Sequence, residues 1–160
     1  RMMQKTEWLE AFPNHLGWYF SGFSDGEGSF NVSVHRVSDR RQPWRLIARF
    51  NVSQRDRRVL EMMMNHLGCG TLRMRKDGVT YYEVTQIQAL RECIIPFFRK
   101  FPIQSDAKAK NFERFSDIVR MMSEGEHLHS AGFMKIMSLR ERLNEGRGRK
   151  RRYTIENASW

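Results

Sequence analysis

Cysteine is scarce in this sequence, with two residues in 160. Cys69 and Cys93 form no C-x-x-C pair and have no close cysteine or histidine partner at zinc-ligand spacing. That argues against structural zinc and predicts packed thiols in a reducing compartment. Long apolar runs are missing as well, and the first residues, RMMQKTEW, lack the apolar stretch of a signal peptide. The expectation is a soluble, intracellular protein of a bacterial cytoplasm or an organelle, with no membrane partner. Acid is also in short supply: 18 Asp and Glu face 28 Lys and Arg, a formal net charge of +10. Any large partner should therefore be a polyanion, nucleic acid ahead of an acidic membrane surface. The length fits one domain, and a chain of this size can bury about 70% of its unfolded surface without staples.

Periodicity supplies the architecture. Asn14 can cap a helix whose Leu16, Trp18, Tyr19, Phe20 and Phe23 leave almost no polar face, so that helix should be buried nearly all round. Within it Gly17, Ser21 and Ser24 follow i, i+4, i+7 spacing with Gly22 beside them, a stripe that would let another helix approach closely. After Gly28 the period becomes two. Phe30, Val32 and Val34 alternate with Asn31, Ser33 and His35, and Leu46, Ala48, Phe50 and Val52 alternate with Arg45, Ile47, Arg49, Asn51 and Ser53.

Asp56 to Leu67 reads as a helix with Val59, Leu60, Met63 and Leu67 inward, ended by Gly68. A second strand pair follows, with Leu72 and Met74 inward on one strand and Tyr82 and Val84 on the other. The remainder is helical: a stretch around 87–101 interrupted by Pro96, a helix opened by Ser105 or Asp106 with Phe112, Phe115, Val119 and Met122 on one face, and another from Ser130 to Asn144. The order predicts an α+β domain over residues 1–144, an αββαββα arrangement with helices on one face of an antiparallel sheet, and a basic tail over 145–160.

The other sheet face is left open. It offers Asn31, Ser33 and His35, then Arg45, Ile47, Arg49 and Asn51, then Arg73 and Arg75, then Tyr81, Glu83 and Thr85. An ordinary solvated face would hold Lys and Glu in rough balance; this one has the side chains that read base edges in a major groove. Arg36, Arg40, Arg41, Lys76 and the tail are expected to contact phosphates.

Two carboxylates, Asp25 and Glu27, stand one glycine apart where the first helix gives way to a strand. An EF-hand counted from Asp25 fails, because its sixth and twelfth places hold Phe30 and Arg36 instead of glycine and glutamate. A carboxylate beyond a helix C-terminus faces the negative end of the dipole, which makes a cation there plausible. One carboxylate binds Mg²⁺ weakly, so a second acid and substrate phosphates are needed. Glu124, Glu126, His127 and His129 could suggest another metal cluster, but a solvated turn is the stronger reading.

Residues 20–30, FSGFSDGEGSF, resemble the LAGLIDADG motif of homing endonucleases. VSQRDRRVLEMM, LGCGTLRMR, the approach to NFERF, and GEHLHSAGFMKIMSL follow the order of single-motif members. The resemblance implies that the motif helix packs against its counterpart in a second copy, through Gly17, Ser21, Gly22 and Ser24. It implies Glu27 as the metal carboxylate and Gly26 as a carbonyl ligand, with Asp25 shaping the turn. Gln54 resembles the water-positioning residue, Arg58 the basic residue that orients solvent, and Lys108, with Lys110 in reserve, the basic residue at the active site. SAGFMKIMS at 130–138 has no acid at the required offset, so each chain carries one motif.

The implied protein is a homodimeric, site-specific endonuclease acting on double-stranded DNA at a pseudo-palindromic target and leaving 5′-phosphate and 3′-hydroxyl ends. Mg²⁺ is the implied cofactor, with Mn²⁺ as a substitute and Ca²⁺ as an ion that binds without supporting cleavage. The alternatives are a maturase that binds intron RNA and a silent DNA-binding regulator.

Overall fold

A computed structural model describes residues 7–38, 41–144 and 151–158. A single turn, α1 (Glu7–Glu10), leads to α2 (Asn14–Glu27). Asn14 is the first helical residue, and Pro13 holds the N-cap place with no side-chain cap. The fixed φ of proline already sets the extended backbone that a cap needs. The helix runs into β1 (Gly28–Arg36) with no loop between them, and β2 (Trp44–Gln54) returns antiparallel to it. Then come α3 (Arg58–Leu67), β3 (Thr71–Met74) and β4 (Thr80–Val84). The four strands form one antiparallel sheet in the order β1-β2-β4-β3.

Alternation along the strands is the reason the sheet has a core side. Phe30, Val32, Val34, Leu46, Ala48, Phe50, Val52, Tyr82 and Val84 are all buried. Met74 does not follow, being 64% exposed on a short edge strand none of whose residues is buried. In α3 the four residues expected inward are buried, and Gly68 ends it at φ 75°, the left-handed conformation that glycine adopts without penalty.

Pro96 does not break its helix. α4 (Ile87–Ala89) passes through a π-helical turn at Leu90–Ile94 into α5 (Ile95–Lys100). The widened turn lies just ahead of the proline, whose nitrogen has no hydrogen to donate. The long α6 (Asp106–Ser123) and α7 (Ser130–Arg142) complete the helical layer, joined by a 3₁₀ turn at Glu126–Leu128.

The core is aromatic. Phe30 lies 5.2–5.4 Å, centroid to centroid, from Phe50, Phe98, Phe112 and Phe115. Each fully buried ring contributes roughly 1.5–3 kcal/mol. The outer edge of β1 is closed by polar side chains: Arg140 Nε donates to Val32 O at 2.7 Å and Asn144 Nδ2 to Phe30 O at 2.8 Å. Residues 151–158 of the expected tail lie against this region. Tyr153 packs edge-on to Trp44 at 4.9 Å, its carbonyl accepts from Arg140, and Ala158 is buried.

Candidate active site and nucleic-acid interface

The last turn of α2 holds both acids, with opposite surroundings. Asp25 reaches α6, accepting from the backbone N–H of Ser105 at 3.0 Å and of Gln104 at 3.3 Å, and from the Ser105 hydroxyl. It caps the long helix from outside, a role whose partner lies 80 residues away. Burial alone would raise its pKa. The hydrogen bonds from Ser105 and Gln104, with Lys108 nearby, outweigh that and hold the carboxyl below its ordinary value. Glu27, two residues on, is exposed and makes no hydrogen bond or ion pair among the described residues.

Lys108 returns the contact from α6. Its Nζ donates to the carbonyls of Asp25 and Gly28, both at 2.7 Å, and of Ser24 at 3.3 Å. A cation thus sits at the negative end of the helix dipole, on the carbonyls of Asp25 and Gly28 and, more distantly, on that of Ser24, which also accepts from the Gly28 N–H. Beside this junction lies a cleft of about 620 Å³, lined among others by Asp25, Lys108, Lys110, Asn111 and Arg114. Lys110 itself pairs with Asp106 at 3.1 Å.

Gln54 ends β2 two residues beyond Val52, the register partner of Gly28, so it shares Glu27's end of the sheet. Its Oε1 accepts from the N–H of Arg55 at 2.9 Å. Arg58 opens α3 with its side chain 86% exposed and 3.7 Å from Asp56. Lys108 therefore grips the backbone on either side of Glu27 and Gln54 lies at the same end of the sheet, while Arg58 stands on the neighbouring helix start, turned to Asp56.

The stripe expected to meet a second helix divides. Gly17, Ser21 and Ser24 are buried within their own chain. A Cβ on Gly17 would stand 2.2 Å from Phe101 Cζ, and the Ser21 hydroxyl donates to Phe101 O at 2.7 Å. Of the four, only Gly22 faces outward. It belongs to another face of α2, made of His15, Trp18, Tyr19, Gly22 and Gly26, at i, i+3, i+4, i+7, i+11. Trp18 and Tyr19 are each 49% exposed, so the helix is not buried all round. No atom lies within 4 Å of where a Cβ would stand on Gly22 or Gly26. A helical wheel centred on Gly22 and Gly26 was the signal that finds this face in sequence.

The open sheet face is assembled by register. Asn31 lies opposite Arg49, Ser33 opposite Ile47 and His35 opposite Arg45. Asn51 pairs with Glu83, which pairs in turn with Thr71, and Arg73 pairs with Tyr81. Ser29 and Ser53 share this face and belong in the set. Glu83 is tied between two arginines, 3.6 Å from Arg49 and 3.4 Å from Arg73, so it orients both. Arg75, just past β3, lies 4.5 Å from the centroid of the Tyr81 ring and pairs with Asp77 at 3.0 Å.

Three other residues stand at the margin. Arg36 lies opposite Trp44, on the helical side of the pleat, with its guanidinium 5.5 Å from that ring. Thr85 follows the end of β4, and Arg41 is exposed in the loop before β2. Arg40 lies outside the described residues.

Among the described residues no group of three or more His, Cys, Asp or Glu could hold a metal ion. Glu124 and Glu126 instead face Arg120, at 3.6 and 3.9 Å. No helix of the described residues is long and apolar enough to cross a membrane.

An exposed acid at the junction of a glycine-faced helix with an open basic sheet is the arrangement that known proteins decide. The LAGLIDADG endonuclease family model matches residues 20–119. The chain belongs to the LAGLIDADG endonuclease family. It is 36% identical over 107 residues to homing endonuclease I-ApeII of Aeropyrum pernix, covering 65% of this chain and 62% of that protein. It is 30% identical over 133 residues to probable intron-encoded endonuclease 3 of Neurospora crassa, covering 81% of this chain but 25% of that one. The chain thus spans less than two thirds of the length of these curated relatives. The archaeal intron-encoded homing endonuclease I-Vdi141I, solved in complex with DNA, superposes with a TM-score of 0.82 at 29% identity, over 89% of this chain and 91% of its own. The α+β reading of the sequence, helices on one face of an antiparallel sheet, is the LAGLIDADG fold.

Proposed function

We propose that this chain is one subunit of a homodimeric, site-specific DNA endonuclease that cuts both strands of a pseudo-palindromic target. The observation that carries the reading is Glu27, an exposed carboxylate, unpaired among the described residues, on the last turn of a helix whose outward face presents Gly22, Gly26, Trp18 and Tyr19. Two copies that met through this face would bring two Glu27 side chains together, completing a site for which one chain supplies one acid. The open sheet continues from the same junction and would carry the duplex.

The donor set fits a hard divalent cation. Glu27 offers a carboxylate and Gly26 a backbone carbonyl, both oxygen ligands of the kind Mg²⁺ takes, and Mn²⁺ has the same preference. When bound, such ions supply Lewis-acid stabilisation of the phosphate and of the leaving 3′ oxygen, leaving a 5′-phosphate. Lys108 holds the backbone around Glu27 by three carbonyls, so its role is positioning. Gln54 would orient an attacking water, and Arg58 would exchange Asp56 for a phosphate. Arg49, Arg73 and Asn51 read base edges in the major groove, with Glu83 fixing both arginines.

Selection of cleaved products from a randomised duplex library tests this. Recovery of a roughly palindromic site with Mg²⁺, and binding without cutting with Ca²⁺, is the expected result. Binding without cutting in Mg²⁺ as well would favour a regulator, and retention of structured intron RNA in place of duplex would favour a maturase.

A further inference from the structure

The two cysteines, 24 positions apart, meet. Cys69 Sγ lies 3.3 Å from Cys93 Sγ, with both thiols free. Cys69 sits in the turn between α3 and β3, flanked by Gly68 at φ 75° and Gly70 at φ 91°. Cys93 sits on the π-helical turn between α4 and α5. The carbonyl of Cys69 accepts from the Tyr82 hydroxyl at 2.8 Å, and the Cys93 thiol donates to Leu67 O at 3.2 Å.

The pair is open on one side. A cavity of about 290 Å³ is lined by both cysteines with Trp8, Leu67, Gln86 and Glu92. Cys69 is half-buried and Cys93 buried, so a reagent arriving through the cavity meets Cys69 first. Once Cys69 is ionised, the Cys93 thiol beside it can turn from Leu67 O to donate to the thiolate, which outweighs burial and lowers the Cys69 pKa to about 7, while Cys93 itself is pushed up. One sulfur is the nucleophile and the other the reserve.

We infer that Cys69 and Cys93 form a reversible oxidation site, which thiol–disulfide exchange with a small disulfide closes into an intramolecular bridge. The Cys69 thiolate attacks one sulfur of the reagent R–S–S–R, forming a mixed disulfide and expelling RS⁻, which takes up a proton. Cys93 then loses its proton and attacks Cys69 Sγ, expelling the second RS⁻ as the bridge forms. Two thiols are oxidised and one reagent disulfide is reduced to two thiols. The sulfurs must close from 3.3 Å to the roughly 2.05 Å of a disulfide, a movement that the glycine-flanked turn can supply. The bridge would tie the start of β3, the strand carrying Arg73, to the helical layer.

The test uses the intact chain with oxidised glutathione as probe. Wild type should lose the mass of two hydrogens, reversibly with dithiothreitol, and a non-reducing digest should join the peptides containing Cys69 and Cys93. Cys93→Ala should stop at a stable glutathione adduct on Cys69, and Cys69→Ala should yield no adduct. Alkylation of Cys69 should follow a pH profile with its midpoint near 7, and Cys93→Ala should shift that midpoint up toward the ordinary thiol value. A wild type that keeps both thiols alkylatable under excess oxidant, or gives only intermolecular dimers, would overturn the inference. So would equal reactivity of the two single variants. None of these readouts depends on DNA cleavage.

Discussion

The two faces of α2 both carry small residues, for different physical reasons. On the buried face Gly17, Ser21 and Ser24 are small because the chain's own core presses on them: Phe101 fills the space where a Gly17 side chain would be, and Ser21 hydrogen-bonds its carbonyl. On the exposed face Gly22 and Gly26 leave open space, and Trp18 and Tyr19 offer apolar surface beside it. The acids divide in the same way. Asp25 is consumed in capping α6, whereas Glu27 has no partner among the described residues. Smallness or charge at a position therefore does not tell its use; the side of the helix does.

The sharpest way to break this comparison is to alter each acid alone. Glu27→Gln is expected to lower the cleavage rate by about 10³-fold, roughly 4 kcal/mol of barrier, with duplex binding and thermal stability unchanged. Single-turnover cutting beside a binding isotherm measures both. If Asp25→Asn lost as much cleavage at full stability, the division of roles between the two acids would be wrong.

Alanine at the two faces comes next. Gly17→Ala is expected to destabilise the fold by about 1–3 kcal/mol, because its Cβ meets a buried ring that must move. Gly22→Ala should instead stabilise the isolated helix by up to about 1 kcal/mol while weakening self-association. Denaturant unfolding and sedimentation at several concentrations separate the outcomes. A Gly22→Ala protein that unfolds early but assembles normally would reverse the assignment of faces.

Most of the fold was legible because strand alternation depends on local pattern: one buried face and one wet face write a period of two into the sequence. Met74 escaped it because an edge strand can keep the period while burying none of its residues. The stripe on α2 misled because small residues recur on two faces at once, and only the distant Phe101 tells which face is the inner one. Lys108 is singled out in the sequence through the resemblance, but its grip on three carbonyls was not legible, since no local pattern records contacts made 80 or more residues apart. The same holds for Asp25 and Ser105. Pro96 read as an interruption because propensity has no way to show that a π turn absorbs it.

The smallest expected effect concerns the Asp25 cap. Replacing Asp25 with Asn leaves a weaker acceptor facing the same donors, and its loss should cost about 1 kcal/mol, the usual size of a cap. The pH dependence has a definite sign. Hydrogen bonds from Ser105 and Gln104 keep the folded pKa below the unfolded value, so the native state holds its carboxylate where the unfolded chain has begun to take up a proton. The cap's electrostatic contribution is present in full above the unfolded pKa and fades as pH falls through the lower, folded one. Urea unfolding of wild type and Asp25→Asn should therefore show a stability gap that is constant near neutrality and narrows in acid. A gap that widens as the pH falls would mean that Asp25 is held protonated, and that the junction between α2 and α6 is not stabilised by its charge.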